Sequence, residues 1–181
     1  MYKYFFKFFL IFLFLLFFLT FDQNNIPKNQ DIQYILPTKY IKITSQFGYR
    51  NFTGYKKHFH NGIDMANKEN TKVYAIADGI VSFAKFNGAY GYTIMLNHDN
   101  NIKSMYSHLS KNFNVITGQI VKQGDLIGYI GPKNLYNDTN YYLFQGEKRN
   151  GMTTGPHLHF SIIEKGKFVN PFNFIKKDSA N

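Results

Sequence analysis

The sequence predicts an all-β domain built as a compact antiparallel β-sheet or sandwich. Three observations support this. From Lys72 onward the apolar residues fall in short runs separated by glycine or asparagine turns, a spacing suited to sandwiches and open barrels. After residue 22 no long stretch repeats its apolar residues at helical spacing. The 181 residues are 44% hydrophobic, enough to bury a core as one domain.

The chain opens with "MYKYFFKFFLIFLFLLFFLTF". Two lysines precede an apolar run from Phe8 to Leu19, the pattern of an export signal. No small-residue cleavage site follows, and Tyr4 to Phe21 approaches the length of a membrane span. Residues 1–21 are therefore read as a signal peptide or an N-terminal membrane anchor. Either places Lys3 and Lys7 in the cytoplasm and the body outside it, facing the periplasm or cell wall. The polar stretch 22–37, with two prolines, reads as a linker. The domain is expected over 38–176, with 177–181 a tail.

Within the domain, "KVYAIADGIVSFAKF" reads as two strands broken at Asp78-Gly79. "YGYTIMLNH" and "IKSMYSHL" read as two more, joined through the turn-like "DNNI". "GQIVKQGDLIGYIG" holds short apolar pieces between glycines. "PHLHFSII" and "KFVNPF" close the domain around Lys165-Gly166.

The formal net charge is +10, and +8 once Lys3 and Lys7 are set aside, with 19 basic and 11 acidic residues remaining. The lysines are dispersed, so nucleic acid is not the expected partner. Cysteine is absent, which excludes disulfide scaffolds and thiolate metal sites. A transition-metal site must use His, Asp or Glu.

Two of the six histidines sit in "GPHLHF". In a strand His157 and His159 share one face, and Leu158 and Phe160 the other. "HFHNGIDMA" places His60 and Asp64 four residues apart. In a straight strand they would stand roughly 13 Å apart, at ~3.3 Å per residue. A bend at Asn61-Gly62 would close that gap. His60, Asp64 and one strand histidine would then make a His₂Asp set with a position left open, as catalytic zinc requires. His108 lies in "MYSHLS". His58 and His98 are more dispensable, at a bend and at a hairpin tip.

"TSQFGYR", "HNGIDMA", "VYAIADGIV", "YGYTIMLNH", "MYSHLS", "GQIVKQGDLIGYIG" and "TGPHLHF" occur in this order. Together they resemble the lysostaphin-type zinc metallopeptidases that cut peptidoglycan cross-links, over about residues 43–175. The resemblance implies a groove across one sheet, in a barrel-sandwich-like fold, holding one zinc per chain on His60, Asp64 and His159. It implies that His157 and His108 flank the reacting water and carbonyl. His157 is then the base and His108 the oxyanion stabiliser, in roles the two can exchange. Tyr55 is a further oxyanion candidate. The implied substrate is peptidoglycan peptide, and the chain is expected to act as a monomer.

Two features depart from the family pattern. "PKNLYNDTNYYLFQGEKRNGMT", Pro132 to Thr153, is a long insertion where a short turn is usual, and its aromatic residues suggest a lid or wall beside the groove. Ser161 stands where a glutamate is common, on the His157–His159 face. Three rival readings are a non-catalytic wall-binding or activator domain of the same fold, a mononuclear iron oxygenase and a β-sandwich carrier domain. The first expects lost ligands, and none is lost. The export signal and motif order oppose the second. The third leaves five histidines around two motifs unexplained.

Overall fold

The computed structural model describes residues 33–39, 42–50, 58–132, 150–153 and 155–175. The expected all-β fold is what these residues adopt. The strands are β1 (Lys42–Ser45), β2 (Gly48–Arg50), β3 (His58–His60), β4 (Ile63–Ala66), β5 (Lys72–Tyr74) and β6 (Gly79–Phe86). They continue with β7 (Tyr92–Asn97), β8 (Ile102–Leu109), β9 (Ile120–Val121), β10 (Leu126–Tyr129), β11 (His157–Glu164) and β12 (Lys167–Val169). Short 3-10 turns at Gly88–Tyr90 and Pro171–Asn173 are the helical elements among the described residues.

Eight strands form one antiparallel sheet in the order β1-β4-β11-β8-β7-β6-β9, with β12 beside β11. The pairs β5–β10 and β2–β3 form two small ladders. The hairpins follow from local chemistry. Asn100 and Asn101 both take positive φ, 58° and 59°, and Ile102 N–H donates to the Asp99 carbonyl at 3.2 Å. That is a type I′ turn, whose twist matches its strands and which asparagine tolerates.

Alternation divides the large sheet into two faces. Ile63, Met65, Ile94, Leu96, Tyr106, Leu158, Phe160 and Ile162 are fully buried and lie on one face by register. The β5–β10 side covers that face. Ile76 N–H donates to Tyr106 Oη at 3.0 Å, and Tyr106 packs on Phe160 with ring centroids 5.3 Å apart. The opposite face carries Asp64, Ser107, His157, His159 and Ser161. The β11 pattern predicted from "HLHF" is thus one apolar face toward the core and one polar face toward the site.

Of the stretch 22–37, residues 33–37 are described, and they run against the domain. Tyr34 bridges Ile175, Ile35 N–H donates to the Ile76 carbonyl, and Tyr74 N–H donates to the Pro37 carbonyl. Residues 1–21, Tyr55, 133–149 of the insertion and the tail 177–181 lie outside the described residues. Among the described residues no helix is long and apolar enough to cross a membrane.

Candidate metal centre and active site

The chain breaks at Asn61-Gly62, as the turn-forming pair predicts. The break passes it from β3, in the small ladder with β2, to β4, in the large sheet. His60 ends β3, and Asp64 sits in β4 directly opposite His159 of β11. Gly62 has to be glycine for this approach. A Cβ there would stand 2.5 Å from the Phe160 carbonyl oxygen and from Ser161 Oγ, and 2.9 Å from His159 Cε1.

Three donor atoms converge. His60 Nε2 is 3.1 Å from Asp64 Oδ1, His159 Nδ1 is 2.9 Å from the same oxygen, and the two nitrogens are 3.0 Å apart. The outer bonds show what these nitrogens carry. His60 Nδ1 lies 2.8 Å from the Gln46 carbonyl. A carbonyl only accepts, so Nδ1 holds the proton and Nε2 turns a lone pair inward. His159 Nε2 lies 3.1 Å from Ser161 Oγ, which can accept its proton and leave the Nδ1 lone pair facing inward too. The third corner is a carboxylate oxygen.

Three electron-rich atoms facing one another repel unless a cation lies among them. Donors about 2.0–2.1 Å from a tetrahedral zinc stand roughly 3.3 Å apart, close to the edges seen here. Two imidazoles and one carboxylate, with no thiolate, suit zinc, and His60, Asp64 and His159 are the group able to hold a metal among the described residues.

The electrostatics agree with a metal-binding carboxylate. Burial pushes the Asp64 carboxyl up, but its close contacts with the His159 and His60 rings outweigh it and hold it far below the usual carboxylate range. Arg50 Nη1 lies 3.7 Å from Asp64 Oδ2 and donates to Ser45 Oγ at 2.7 Å. One carboxylate oxygen therefore faces the cluster and the other faces a cation. Burial keeps His159 in its neutral, ligating form, against the pull of Asp64.

The two flanking histidines are held in the same way. His157 Nδ1 donates to the Gly155 carbonyl at 2.8 Å and lies 3.1 Å from Thr153 Oγ1. Its Nε2 points inward, 3.8 Å from Asp64 Oδ1. His108 Nδ1 donates to the Asn150 carbonyl at 2.8 Å. Its ring stands 4.7 Å from that of His157, centroid to centroid. Burial first, then the neighbouring His157, lowers His108 to about 3.

His108 reaches this face by a route that strand alternation does not anticipate. Regular alternation would put it with Tyr106, on the core face. Between the pairs Ile94↔Tyr106 and Tyr92↔Leu109, two residues of β8 oppose one of β7. In this bulge His108 takes φ +59°. A bulge of this kind re-aims a side chain.

Five of the six residues singled out from the sequence thus meet at one place: His60, Asp64, His159, His157 and His108. Tyr55 falls outside the described residues. Of the dispensable pair, His98 bonds to Asp78 and Ser104 at another part of the sheet, and His58 is exposed. Sequence reasoning missed Arg50, Asn150, Thr153 and Tyr90, whose ring lies 5.6 Å from that of His159. Arg50 was within reach, since it ends the quoted "TSQFGYR". Nothing marked Asn150 among the turn-forming residues of the insertion.

Comparison with known proteins agrees with this geometry. The family described as Peptidase family M23 matches residues 58–171. The chain is 36% identical over 138 residues to DD-carboxypeptidase/endopeptidase Mpg of Neisseria meningitidis, covering 76% of this chain and 28% of that protein. The fold superposes on a zinc-containing peptidase from Vibrio cholerae with a TM-score of 0.62 at 26% identity, over 76% of this chain and 39% of that one. It also superposes on the catalytic domain of lysostaphin from Staphylococcus simulans with a TM-score of 0.59 at 26% identity, over 74% and 91%. With the family matched over most of its domain and a His–Asp–His cluster at its centre, the chain belongs to peptidase family M23.

Proposed function

We propose that this protein is a zinc endopeptidase that hydrolyses stem or cross-link peptides of peptidoglycan outside the cytoplasmic membrane. The observation that carries the reading is the convergence of His60 Nε2, Asp64 Oδ1 and His159 Nδ1 within 3.1 Å of one another, flanked by two histidines whose Nδ1 atoms face main-chain carbonyls. The name of the Neisseria relative, a DD-carboxypeptidase/endopeptidase, supports the substrate class. The chain spans only 28% of that relative's length, so the reading concerns what this domain does by itself. Family membership and the retained ligands favour an enzyme over a non-catalytic binding domain. One zinc per chain, an exported body and a monomer are parts of the same proposal, with residues 1–21 as signal or anchor.

Bound by His60, Asp64 and His159, zinc supplies polarisation of the scissile carbonyl and a water whose pKa falls to about 7. We assign His157 to take the water proton on Nε2 and return it to the leaving amine. Its Gly155 hydrogen bond leaves that nitrogen free of a proton beforehand, as a base requires. His108 is assigned to the oxyanion side. Burial and His157 hold this ring neutral with its proton on Nδ1, so Nε2 begins as a second base and can donate to the oxyanion only after taking up a proton, which is why the two rings can trade roles. Tyr55 remains a proposed oxyanion donor on sequence grounds.

The test is digestion of purified peptidoglycan by the purified protein, with mass analysis of the fragments. Chelation should abolish cleavage and zinc should restore it. His60→Ala, Asp64→Ala and His159→Ala should each lose the metal. His157→Ala and His108→Ala should retain it while losing roughly 10²–10⁴-fold in rate. Intact peptidoglycan after digestion with zinc-loaded protein would sink the reading. Protease protection of the body in spheroplasts would reverse the proposed orientation.

A further inference from the structure

Asn150 and His108 bind each other twice. The His108 ring donates from Nδ1 to the Asn150 main-chain carbonyl at 2.8 Å. The Asn150 side chain donates from Nδ2 to the His108 main-chain carbonyl, also at 2.8 Å. The same amide reaches the Pro132 carbonyl at 3.3 Å, and its Oδ1 accepts from Tyr92 N–H at 3.2 Å. This one buried residue, 4% exposed, thus ties together the end of β8, the start of β7 and the segment that follows β10.

This is the place where β8 leaves regular geometry. His108 holds a left-handed backbone, φ +59°, which costs a residue with a Cβ free energy and persists only when its surroundings enforce it. The enforcing bonds are the Asn150 amide and Gly131 N–H, which donates to the same His108 carbonyl at 2.9 Å. The fold reserves room for the amide. A Cβ on Gly131 would stand 2.3 Å from Asn150 Nδ2, and one on Gly91 would stand 2.4 Å from Asn150 Oδ1.

We propose that Asn150 is a positioning residue for His108. Its side chain holds the bulge that turns the ring onto the metal face, and its carbonyl fixes which ring nitrogen carries the proton. It acts through His108, to which two of its hydrogen bonds run. Without the amide, the carbonyl that orients the ring loses its own anchor, and His108 can relax toward the alternation that points it at the core. The inference rests on the endopeptidase reading for its activity measurement, but not for its spectroscopic one.

The experiment compares Asn150→Ala and Asn150→Asp with the parent, and each again in a His108→Ala background, with peptidoglycan as substrate and zinc content measured throughout. Asn150→Asp keeps the shape and the Tyr92 bond but loses the donor to His108, so it decides the matter if Asn150→Ala does not fold. The expected result is a fall in kcat of roughly tenfold or more, with zinc content intact and KM within about twofold. In the His108→Ala background the same change should cost less than about twofold, because a residue acting through His108 has nothing left to act on. Equal losses in both backgrounds would mean a general packing role and overturn the proposal. The second readout is the long-range ¹H–¹⁵N spectrum of the zinc-loaded protein. His108 should be protonated at Nδ1 in the parent and a mixture of tautomers in the variants. An unchanged His108 spectrum would overturn the assignment even if the parent cut no peptidoglycan, an outcome that would separately defeat the enzymatic reading.

Discussion

At the scale of single residues, the centre is controlled by atoms that do not ligate. Ser161 Oγ lies 3.1 Å from His159 Nε2, on the side of the ring away from Asp64. Outer partners of this kind are typically worth 10–100-fold in metal affinity. Ser161→Ala should therefore weaken zinc binding by roughly tenfold or more, read by competition with a chromophoric chelator. Parent-like affinity would show that the hydroxyl is idle. Gly62→Ala should act through the backbone instead, because its new Cβ would press on the Phe160 carbonyl and on His159. It should lower both zinc affinity and thermal stability, whereas Ser161→Ala should spare the stability of the metal-free protein. If the two variants proved indistinguishable, the close approach at Gly62 would not matter.

At the scale of elements, some of the site could be read from the chain and some could not. The sharing of a face by His157 and His159 follows from strand period alone, and the break at Asn61-Gly62 from turn chemistry; both are local rules. The place of His108 depends on a bulge whose cause lies in Asn150, 42 residues later, and no local rule reaches that far. Asn150 itself is a polar residue among turn formers, and its burial is decided by three converging segments. The bulge gives a clean stability comparison. His108→Gly and His108→Ala remove the same ring, but only alanine retains the cost of positive φ. The glycine variant should be more stable than the alanine variant by about 1 kcal/mol in denaturant unfolding. Equal stability, or the reverse order, would show that the left-handed conformation carries no strain.

At the scale of the whole molecule, a second histidine network lies half-buried at another part of the sheet. His98 lies between the Asp78 carbonyl and Ser104 Oγ, 2.7 Å from each, with the Tyr34 ring edge-on at 6.3 Å. Burial lowers its pKa below the ordinary 6.5, against the opposing pull of the Asp78 main-chain hydrogen bond and of the Asp99 and Asp78 carboxylates. Lys122 pairs with Asp78 nearby. Because the folded value lies below the unfolded one, the unfolded chain binds the extra proton as pH falls through about 6.5. This part of the stability is complete above that pH and declines below it. Denaturant unfolding between pH 7.5 and 5 should show a shallower slope for His98→Gln than for the parent, whatever the absolute stabilities. Parallel slopes would remove His98 as a source of acid sensitivity. The junction at Asn150 has a different consequence for the molecule's history. Pro132 and Asn150, the two ends of the intervening segment, lie within hydrogen-bond reach of each other, so the frame meets the segment as a closed gate-leg whatever its length. Closing a flexible loop costs only about 0.6 kcal/mol more for each doubling of its residues. The stretch beside His108 could therefore be lengthened or exchanged without changing a single strand pairing.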